Sequence, residues 1–468
     1  MKRASMVAPL LLLALGLGPA PAGAHSSYLD AALQQYPGIR NSQLNNCTLC
    51  HTSVPSLNPY GSDYRGHDRN FAAIELLDSD HDGFSNIAEI LALTFPGDAS
   101  SVPSGGGGPG RVQSLKVLDN GGDYGAVEVA YDPDRNQFLT AWVEATSSDH
   151  GVFTRRLSAD GTPLGSAVMV SKTAADCCDR IGLAYGNGVY LAAYQQADGR
   201  LMAQRLDSTG KGKGAATLLA TAGSGPSVAF QAASKNYFVS YAGTDGGLLQ
   251  TVSAKGKLVG SAQPLRMTGG GTDYLVRQLT IHPSSGELLS AGAELKSAKA
   301  RPAGLGFDMG LITLLGPFVY SNKFTAASIL QMDVAFRAGA GGPGLIAWDS
   351  SSASSSKGYI RPINAGGAPL GAIQKLSGGR PAGLNLVAEE LDGQFLLIWV
   401  DLNARSVYGQ DLEDTGTSAA DKFTISDQSD AVTSGFAAAA YGNQGETAVL
   451  YTRAGSAPAV LAALVKRP

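Results

Sequence analysis

A repeat with a period near fifty residues constrains the fold of this chain more than any other feature. Its clearest element is a short apolar run that ends in an aromatic residue. The visible copies end at Trp142, Tyr194, Tyr241, Trp348, Trp399 and Tyr451. Successive aromatics are 52, 47, 107, 51 and 52 residues apart, so the long gap contains one degenerate copy, near Leu288 and Leu289.

Several copies begin with a strand that joins a small residue to an aromatic one, as at 129–131, 183–185, 228–230 and 334–336. A period near fifty with four short strands per unit is typical of a β-propeller blade, although a β-sandwich array is an alternative. Seven units fit between 124 and 468. The last unit lacks an outer strand, and 112–117 precedes the first without a partner. We therefore expect 112–117 to close the ring and remove a sheet edge.

The residues before the repeat contain Cys47-Thr48-Leu49-Cys50-His51. Two cysteines separated by two residues and followed by histidine form the attachment motif of a c-type haem. Each thiol adds to a vinyl group of the porphyrin, and the imidazole binds the iron as its proximal axial ligand. A redox-active cysteine pair or half of a zinc site is the alternative, but the sequence offers neither a βαβ pattern nor a second cysteine pair nearby. We expect one covalent haem c.

The distal ligand of the iron is predicted from the histidines of the same segment. Methionine does not occur between the apolar N-terminal run and Met169, which excludes a methionine ligand from this segment. His67 is the preferred candidate and His25 the alternative, while His81 is poorly placed within an acidic loop and an open site is a further option. Ligation by two histidines implies a low potential and electron transfer rather than oxygen chemistry.

The acidic segment 78–89 fits a twelve-residue calcium loop. Its predicted ligands are Asp78, Asp80, Asp82, the Phe84 carbonyl, Asn86 and Glu89. Gly83 permits the sharp turn, and Glu89 at the last position can bind through both carboxylate oxygens. An acidic helix-capping turn without an ion is the alternative. We expect one calcium ion with a structural role.

Segments 47–51, 58–61, 78–89 and 95–98 together resemble the single-haem CxxCH cytochrome c modules of exported bacterial proteins that carry a dockerin- or EF-hand-like calcium loop. The resemblance covers about 25–100 and implies electron transfer outside the inner membrane. We expect a small, mainly α module with a loop at 54–61 and a helix from about 70 to 77. Because so short a segment has few large apolar side chains, haem and calcium would complete its core.

The remaining boundaries follow from composition. Lys2 and Arg3, an apolar run and a small-residue site predict a signal peptide at 1–24, and the run is too short for the alternative, a membrane anchor. Residues 101–110 form a Gly/Pro/Ser linker, and 111–468 the all-β propeller. Export to the periplasm or cell exterior is expected, with no transmembrane segment in the mature chain.

Charge and the remaining cysteines narrow the function further. Residues 25–104 carry nine acidic and three basic side chains, and the rest of the mature chain is near neutral, which excludes a basic surface for nucleic acid. Cys177 and Cys178 are adjacent; a vicinal disulfide is expected, with intermolecular pairing or free thiols as alternatives. His150 and His282 have neither metal-ligand nor triad spacing, so no catalytic residue is predicted.

These patterns favour an exported monohaem cytochrome that transfers electrons, with the propeller as its docking domain and a redox protein or extracellular acceptor as its partner. One alternative is a secreted binding or adhesion protein whose propeller takes a protein or glycan ligand and whose haem and calcium are structural. Another is a propeller oxidoreductase that uses the haem as its electron exit. Fold alone does not decide between them.

Overall fold

The computed structural model describes most of the chain after the predicted signal peptide. The described residues are 26–75, 77–81, 85–101, 111–145, 150–173, 180–196, 198–267, 273–296, 299–308, 313–321, 331–339, 341–351, 356–376, 379–389, 393–426, 432, 436–454 and 458–466. The predicted signal peptide and most of the linker lie outside the described residues. So do five residues named in the sequence predictions: His25, Asp82, Phe84, Cys177 and Cys178.

Short helices and one hairpin are found among the described residues of 26–101. The helices are α1 (Ser26–Gln35), α2 (Pro59–Gly66), α3 (Phe71–Ile74) and α4 (Asn86–Ala92), with 3₁₀ turns at Pro37–Asn41 and Cys47–Leu49. The hairpin pairs β1 (His51–Ser53) with β2 (Ser56–Leu57). Helix α2 begins inside the segment expected to be a loop, because Asn58 caps it and Pro59 occupies its first turn.

An aromatic cluster forms the core of this N-terminal segment. Phe71 stacks on Tyr64 with ring centroids 3.9 Å apart, and Tyr36 and Tyr60 pack against the same ring at 5.9 and 6.2 Å. All four side chains are buried. The segment therefore has an apolar core of its own, built from few but large side chains.

Seven four-stranded antiparallel sheets follow. Blade 1 comprises β4 (Asp123–Asp132), β5 (Gln137–Ala145), β6 (His150–Ser158) and β7 (Pro163–Thr173). Blade 2 comprises β8 (Gly182–Gly186), β9 (Val189–Gln195), β10 (Leu201–Leu206) and β11 (Thr217–Ala220). Blade 3 comprises β12 (Ser224–Gln231), β13 (Asn236–Gly243), β14 (Gly246–Ser253) and β15 (Leu258–Leu265). Blade 4 comprises β16 (Asp273–Ile281), β17 (Leu288–Lys296), β18 (Lys299–Asp308) and β19 (Thr313–Val319).

The last three blades have the same order. Blade 5 comprises β20 (Met332–Phe336), β21 (Gly344–Ser351), β22 (Ser356–Ile363) and β23 (Gln374–Lys375). Blade 6 comprises β24 (Pro381–Glu389), β25 (Gln394–Asp401), β26 (Ser406–Leu412) and β27 (Phe423–Thr424). Blade 7 comprises β28 (Ala437–Tyr441), β29 (Glu446–Arg453) and β30 (Ala459–Lys466), and its outer strand is β3 (Val112–Asn120).

The blades close into a ring. The first strand of each blade contacts the first strand of the next, and β28 of blade 7 contacts β4 of blade 1. Strand β3 pairs antiparallel with β30, so the start of the propeller supplies the strand that its end lacks. The predicted seven-bladed propeller and its closure by the segment beginning at 112 are confirmed.

The repeating aromatics fill the spaces between blades. Trp142, for example, is fully buried in a cluster with Leu450 and Val460 of blade 7. Blade 4 departs from this rule because the register places Gly292 where other blades have the aromatic. There the ring of Tyr274 on β16 takes the space: a Cβ on Gly292 would lie 3.0 Å from the Tyr274 hydroxyl, which donates to the Ser290 carbonyl at 2.6 Å.

A buried ion pair fixes the entry of the chain into the propeller. The Arg111 guanidinium donates to both carboxylate oxygens of Asp411 in β26, with Nη2 2.8 Å from Oδ1, and lies 4.5 Å from the centre of the Phe423 ring. The Arg111 carbonyl accepts from the Lys466 backbone N–H at 2.7 Å. Of the helices in the described ranges, none is both long and apolar enough to cross a bilayer.

Candidate functional site

The two cysteines of the CxxCH motif lie on one tight turn. Cys47 begins the 3₁₀ turn and is exposed, whereas Cys50 ends it and is half-buried against the aromatic core; both are free thiols. Burial, together with repulsion from Cys47, raises the pKa of Cys50 to about 12. A catalytic cysteine pair requires a lowered thiol pKa, so this environment does not fit a redox-active disulfide centre.

The adjacent imidazole is oriented by the hairpin that follows. His51 Nδ1 lies 3.3 Å from the Ser56 carbonyl oxygen. A carbonyl only accepts hydrogen bonds, so Nδ1 carries the proton and Nε2 holds the lone pair. Histidines that bind metals are commonly fixed in this way through their other ring nitrogen. The donor set, two thiols and one oriented imidazole, therefore fits a covalently bound haem.

Asn58 holds the CxxCH turn in place. Its side-chain Nδ2 donates to the carbonyls of Thr48 and Leu49, both at 3.1 Å, and its backbone N–H donates to the Cys50 carbonyl at 3.1 Å. Its Oδ1 accepts from the Gly61 N–H at 2.8 Å. One buried side chain thus caps α2 and satisfies two carbonyls of the CxxCH turn.

Two glycines allow this close packing. A Cβ on Gly61 would lie 2.1 Å from the Cys50 carbonyl oxygen, and one on Gly97 would lie 2.6 Å from Cγ of Asn58. Real Cβ atoms do not approach so closely, so either substitution requires the turn to move. The structure thereby gives a reason why 58–61 and 95–98 accompany the CxxCH motif.

His67, the preferred distal ligand, ends helix α2 and is exposed. Its Nδ1 donates to the Asp63 carbonyl at 2.9 Å, which again leaves the lone pair on Nε2. The Asp63 carboxylate accepts from Ser79 Oγ at 2.7 Å and so connects α2 to the acidic loop. His67 as an iron ligand stays a prediction, and its alternative, His25, lies outside the described residues.

The acidic loop carries several oxygen-bearing side chains that are buried or half-buried. Asp78 and Asp80 are half-buried, and Glu89, in the first turn of α4, is fully buried. Ser85 Oγ is also buried and has no hydrogen-bond partner among the described residues. Such a set of oxygens suits a hard cation. Within the described ranges no group of three or more acidic, histidine or cysteine side chains is arranged around one point, so calcium stays a prediction.

Asn86 has a structural role in the loop. Its side chain is fully buried, and Nδ2 donates to the Ile74 carbonyl at 2.7 Å and to Ser79 Oγ at 2.9 Å. Its Oδ1 accepts from the Ser79 N–H at 3.3 Å. Asn86 therefore closes the loop through its side chain, and any contribution to an ion at this position fits the water-mediated mode known for calcium loops.

The propeller histidine whose side chain is described has a structural role. His282 is 1 % exposed, and its Nδ1 accepts from the backbone N–H groups of Ser284 and Ser285 at 3.3 and 3.1 Å. Its Nε2 lies 3.3 Å from the Gly342 carbonyl in the next blade. His282 thus caps a hairpin and connects two blades. His150 begins β6.

Sequence reasoning missed a set of polar residues in the centre of the propeller. They occupy one equivalent position on the inner strands, as the strand pairing shows: Glu128, Ser227, Gln278, Asp333 and Asn385. We call this set the channel ring. Most of its members line a cavity of about 150 Å³ together with Arg180. The signal available in the sequence was a polar residue recurring at one blade position.

The comparisons with known proteins concern the propeller. No protein-family model and no curated protein matches this sequence. A protein of unknown function from Dyadobacter fermentans is 13 % identical with a TM-score of 0.49, over 76 % of this chain and 99 % of its own. The WD40 domain of coronin from Toxoplasma gondii is 12 % identical with a TM-score of 0.46, over 76 % and 88 %. Polysaccharide lyase Uly1 is 10 % identical with a TM-score of 0.48, over 73 % and 89 %.

Such distant likenesses carry no functional argument, so the fold assignment rests on the strand order and ring closure of this chain itself. On that evidence the chain is a seven-bladed β-propeller with four-stranded blades, preceded by a short helical segment that bears the CxxCH motif.

Proposed function

We propose that this chain is an exported monohaem c-type cytochrome that transfers electrons, with the propeller as its docking domain. The observation that carries the proposal is the CxxCH turn itself. Cys47 and Cys50 sit on one 3₁₀ turn, and the His51 imidazole beside them is oriented through Nδ1 by the Ser56 carbonyl. Thiols and an available Nε2 are the groups that covalent haem binding requires.

Each residue then has a definite role. Cys47 and Cys50 would hold the porphyrin through thioether bonds, and His51 Nε2 would bind the iron from one side. The haem supplies reversible one-electron chemistry when bound. Asn58 keeps the turn at a fixed distance from α2, whose last residue is followed by the distal candidate His67.

The calcium loop completes this proposal as a structural element. Asp78, Asp80 and Glu89, with Asp82 and the Phe84 carbonyl from outside the described residues, would hold one calcium ion. The loop is connected to α2 by the bond from Ser79 to Asp63 and to α3 by the bond from Asn86 to the Ile74 carbonyl. A bound ion would therefore stiffen the helix that ends at His67.

The test is covalent haem in the full chain, produced in a bacterium that matures c-type cytochromes. We expect one haem per chain by mass, haem retained after denaturation, and a low-spin six-coordinate spectrum. The double variant Cys47→Ala/Cys50→Ala should carry no covalent haem, whereas the matched control Cys177→Ala/Cys178→Ala should keep it. A wild-type chain that leaves this host without covalent haem would refute the proposal.

The distal ligand and the partner are tested on the same material. His67→Ala should turn the spectrum high-spin, and an unchanged low-spin spectrum would direct attention to His25. The acidic balance of 25–104 should steer a basic redox partner, so the rate of electron exchange should fall as salt rises. A rate independent of ionic strength would remove electrostatic docking from the proposal.

A second candidate, a propeller that binds a ligand while haem and calcium are structural, is favoured by the polar cavity of the channel ring. It predicts that ligand binding survives in the Cys47→Ala/Cys50→Ala variant. Loss of binding together with the haem would favour the cytochrome function.

A further inference from the structure

The channel ring is defined by strand register rather than by proximity alone. Glu128 pairs with Ala141 across its blade, and Gln278 and Asp333 occupy the same position opposite Ala291 and Ala347. The equivalents in the other blades are Gly182, Ser227, Asn385 and Ala438. Five of the seven blades thus place a polar side chain at one level of the channel, while the neighbouring positions on the same strands are mostly apolar.

Most of the ring is held by hydrogen bonds within the protein. Gln278 Oε1 accepts from Ser227 Oγ at 3.1 Å, and Gln278 also hydrogen-bonds Asp333. Asn385 Nδ2 donates to the carbonyls of Gly383 and Ala437, both at 2.9 Å. These amides therefore have fixed orientations.

Asp333 receives backbone donors from two blades. Its Oδ1 accepts from the Val334 N–H and its Oδ2 from the Leu386 N–H, both at 2.8 Å. Arg180, which enters the cavity next to the small Gly182, attracts this carboxylate and donates through Nη1 to the Arg277 carbonyl. Burial raises the pKa of Asp333 to about 6, while the two backbone N–H donors, Arg180 and Gln278 oppose this rise.

Glu128 differs from Asp333. Its side chain is partly buried and lines the cavity, and Oε1 accepts from the N–H of the next residue, Val129, at 3.0 Å. Burial raises the pKa of Glu128 to about 8; repulsion from Asp333 adds to the effect, and the Val129 N–H and Arg180 oppose it. The described lining of the cavity has three charged groups, Glu128 on β4, Arg180 before β8 and Asp333 on β20.

We propose that this cavity binds a small primary ammonium ion, with Glu128 as its counter-ion and the ring oxygens as further acceptors. An ionised Glu128 beside Asp333 requires hydrogen-bond donors and one positive charge to be stable in this cavity. An ammonium group supplies both. The cavity of about 150 Å³ limits the ligand to a few heavy atoms. The site is independent of the haem and lies on other residues.

A divalent metal fits this site less well. Calcium takes six to eight oxygen ligands and is favoured by several carboxylates. The cavity has two carboxylates, and the Arg180 guanidinium beside them cancels one negative charge. The net charge at full ionisation is thus that of one carboxylate, which matches a monocation.

The experiment is titration calorimetry of the full chain with ethylammonium chloride, in two buffers that differ in their heat of ionisation. We expect one site per chain and release of about one proton at pH 7, because Glu128 must ionise to bind. The affinity should rise with pH up to about 8, where Glu128 is ionised before binding.

Variants assign the binding to the ring. Glu128→Gln should weaken ethylammonium binding at least tenfold, while the matched control Glu413→Gln, an exposed carboxylate on the surface, should leave it unchanged. Absence of saturable binding to the wild-type chain, or equal binding to Glu128→Gln, would overturn the proposal. The proposal would also be overturned if calcium chloride bound the wild-type chain more tightly than ethylammonium did and bound Glu128→Gln only weakly. Far-UV circular dichroism of the variants separates loss of the site from loss of the fold.

Discussion

The side chain of Asn58 offers the sharpest test of how the CxxCH turn is built. Its replacement by alanine removes the helix cap on Gly61 and two hydrogen bonds to the carbonyls of Thr48 and Leu49. Loss of an N-cap costs about 1 kcal/mol, and each of the two carbonyls, buried at Leu49 and part-buried at Thr48, costs about 1 kcal/mol more when it loses its donor. The expected loss of local stability is therefore about 2–4 kcal/mol.

The assay is hydrogen exchange of the full chain, read by mass spectrometry on peptides that cover 47–66. Because 1.4 kcal/mol corresponds to a factor of ten, exchange of protected amides in this region should accelerate by about 30- to 1,000-fold. Peptides from the propeller should not change, because their hydrogen bonds do not involve Asn58.

A matched control lies in the same segment. Asn70 caps α3 through a bond from the Ala72 N–H at 3.1 Å, but its position is exposed. Asn70→Ala should accelerate local exchange by less than about tenfold, since it loses one exposed cap. If Asn58→Ala and Asn70→Ala behave alike, or if exchange at 47–66 is unchanged in Asn58→Ala, the clamp described for Asn58 is wrong.

Three further predictions concern the propeller. Arg111→Ala leaves Asp411 buried with its ion pair broken and should lower the free energy of unfolding by about 3–5 kcal/mol, measured by urea denaturation, whereas Arg111→Met with Asp411→Leu should recover most of it. Burial, and then the neighbouring Asp119, raise the pKa of Glu144 to about 7. The protonated carboxyl therefore stabilises the fold at low pH, and this stability is lost as pH rises from the ordinary carboxyl pKa through 7. Glu144→Gln should flatten the resulting fall in melting temperature between pH 5 and 8. Gly292→Ala puts a Cβ 2.3 Å from the Leu275 carbonyl and should cost about 1–3 kcal/mol in the same denaturation assay; an unchanged midpoint would refute the packing described for blade 4.

The repeat predicted the propeller because the aromatic residue that recurs in each unit is the one that is buried between blades. An aromatic at the end of the second strand, such as Trp142 or Tyr451, is fully buried wherever the blade is regular. The degenerate copy near Leu288 gave no aromatic at that position, because Tyr274 on the preceding strand fills the same space in blade 4. In blade 4 the aromatic ring comes from a different strand, which keeps the packing but removes the repeat pattern from the sequence.

The N-terminal segment was predictable in its motifs and less so in its helices. A loop was expected at 54–61 from its prolines and glycine, yet α2 begins at Pro59, since proline fits the first helical turn once Asn58 caps it. The hydrogen bonds that the Asn86 side chain makes with Ile74 and Ser79 were equally hidden, while its role as a calcium ligand stays a prediction. Spacing along the chain does not determine which side-chain oxygen accepts a hydrogen bond from a neighbouring backbone N–H.

The channel ring required both the sequence and the register. Each member alone, such as Ser227 or Gln278, is an unremarkable polar residue in a strand, and the residues that share its position are about fifty positions apart. Only the pairing of each inner strand with its neighbour places Glu128 and Asp333 at one level of one channel. Because Ser227, Asp333 and Asn385 are hydrogen-bonded within the protein, Glu128 is the member of the ring to test for a ligand. The calorimetric response of Glu128→Gln to ethylammonium therefore decides whether the propeller is only a scaffold for the CxxCH segment or has a binding site of its own.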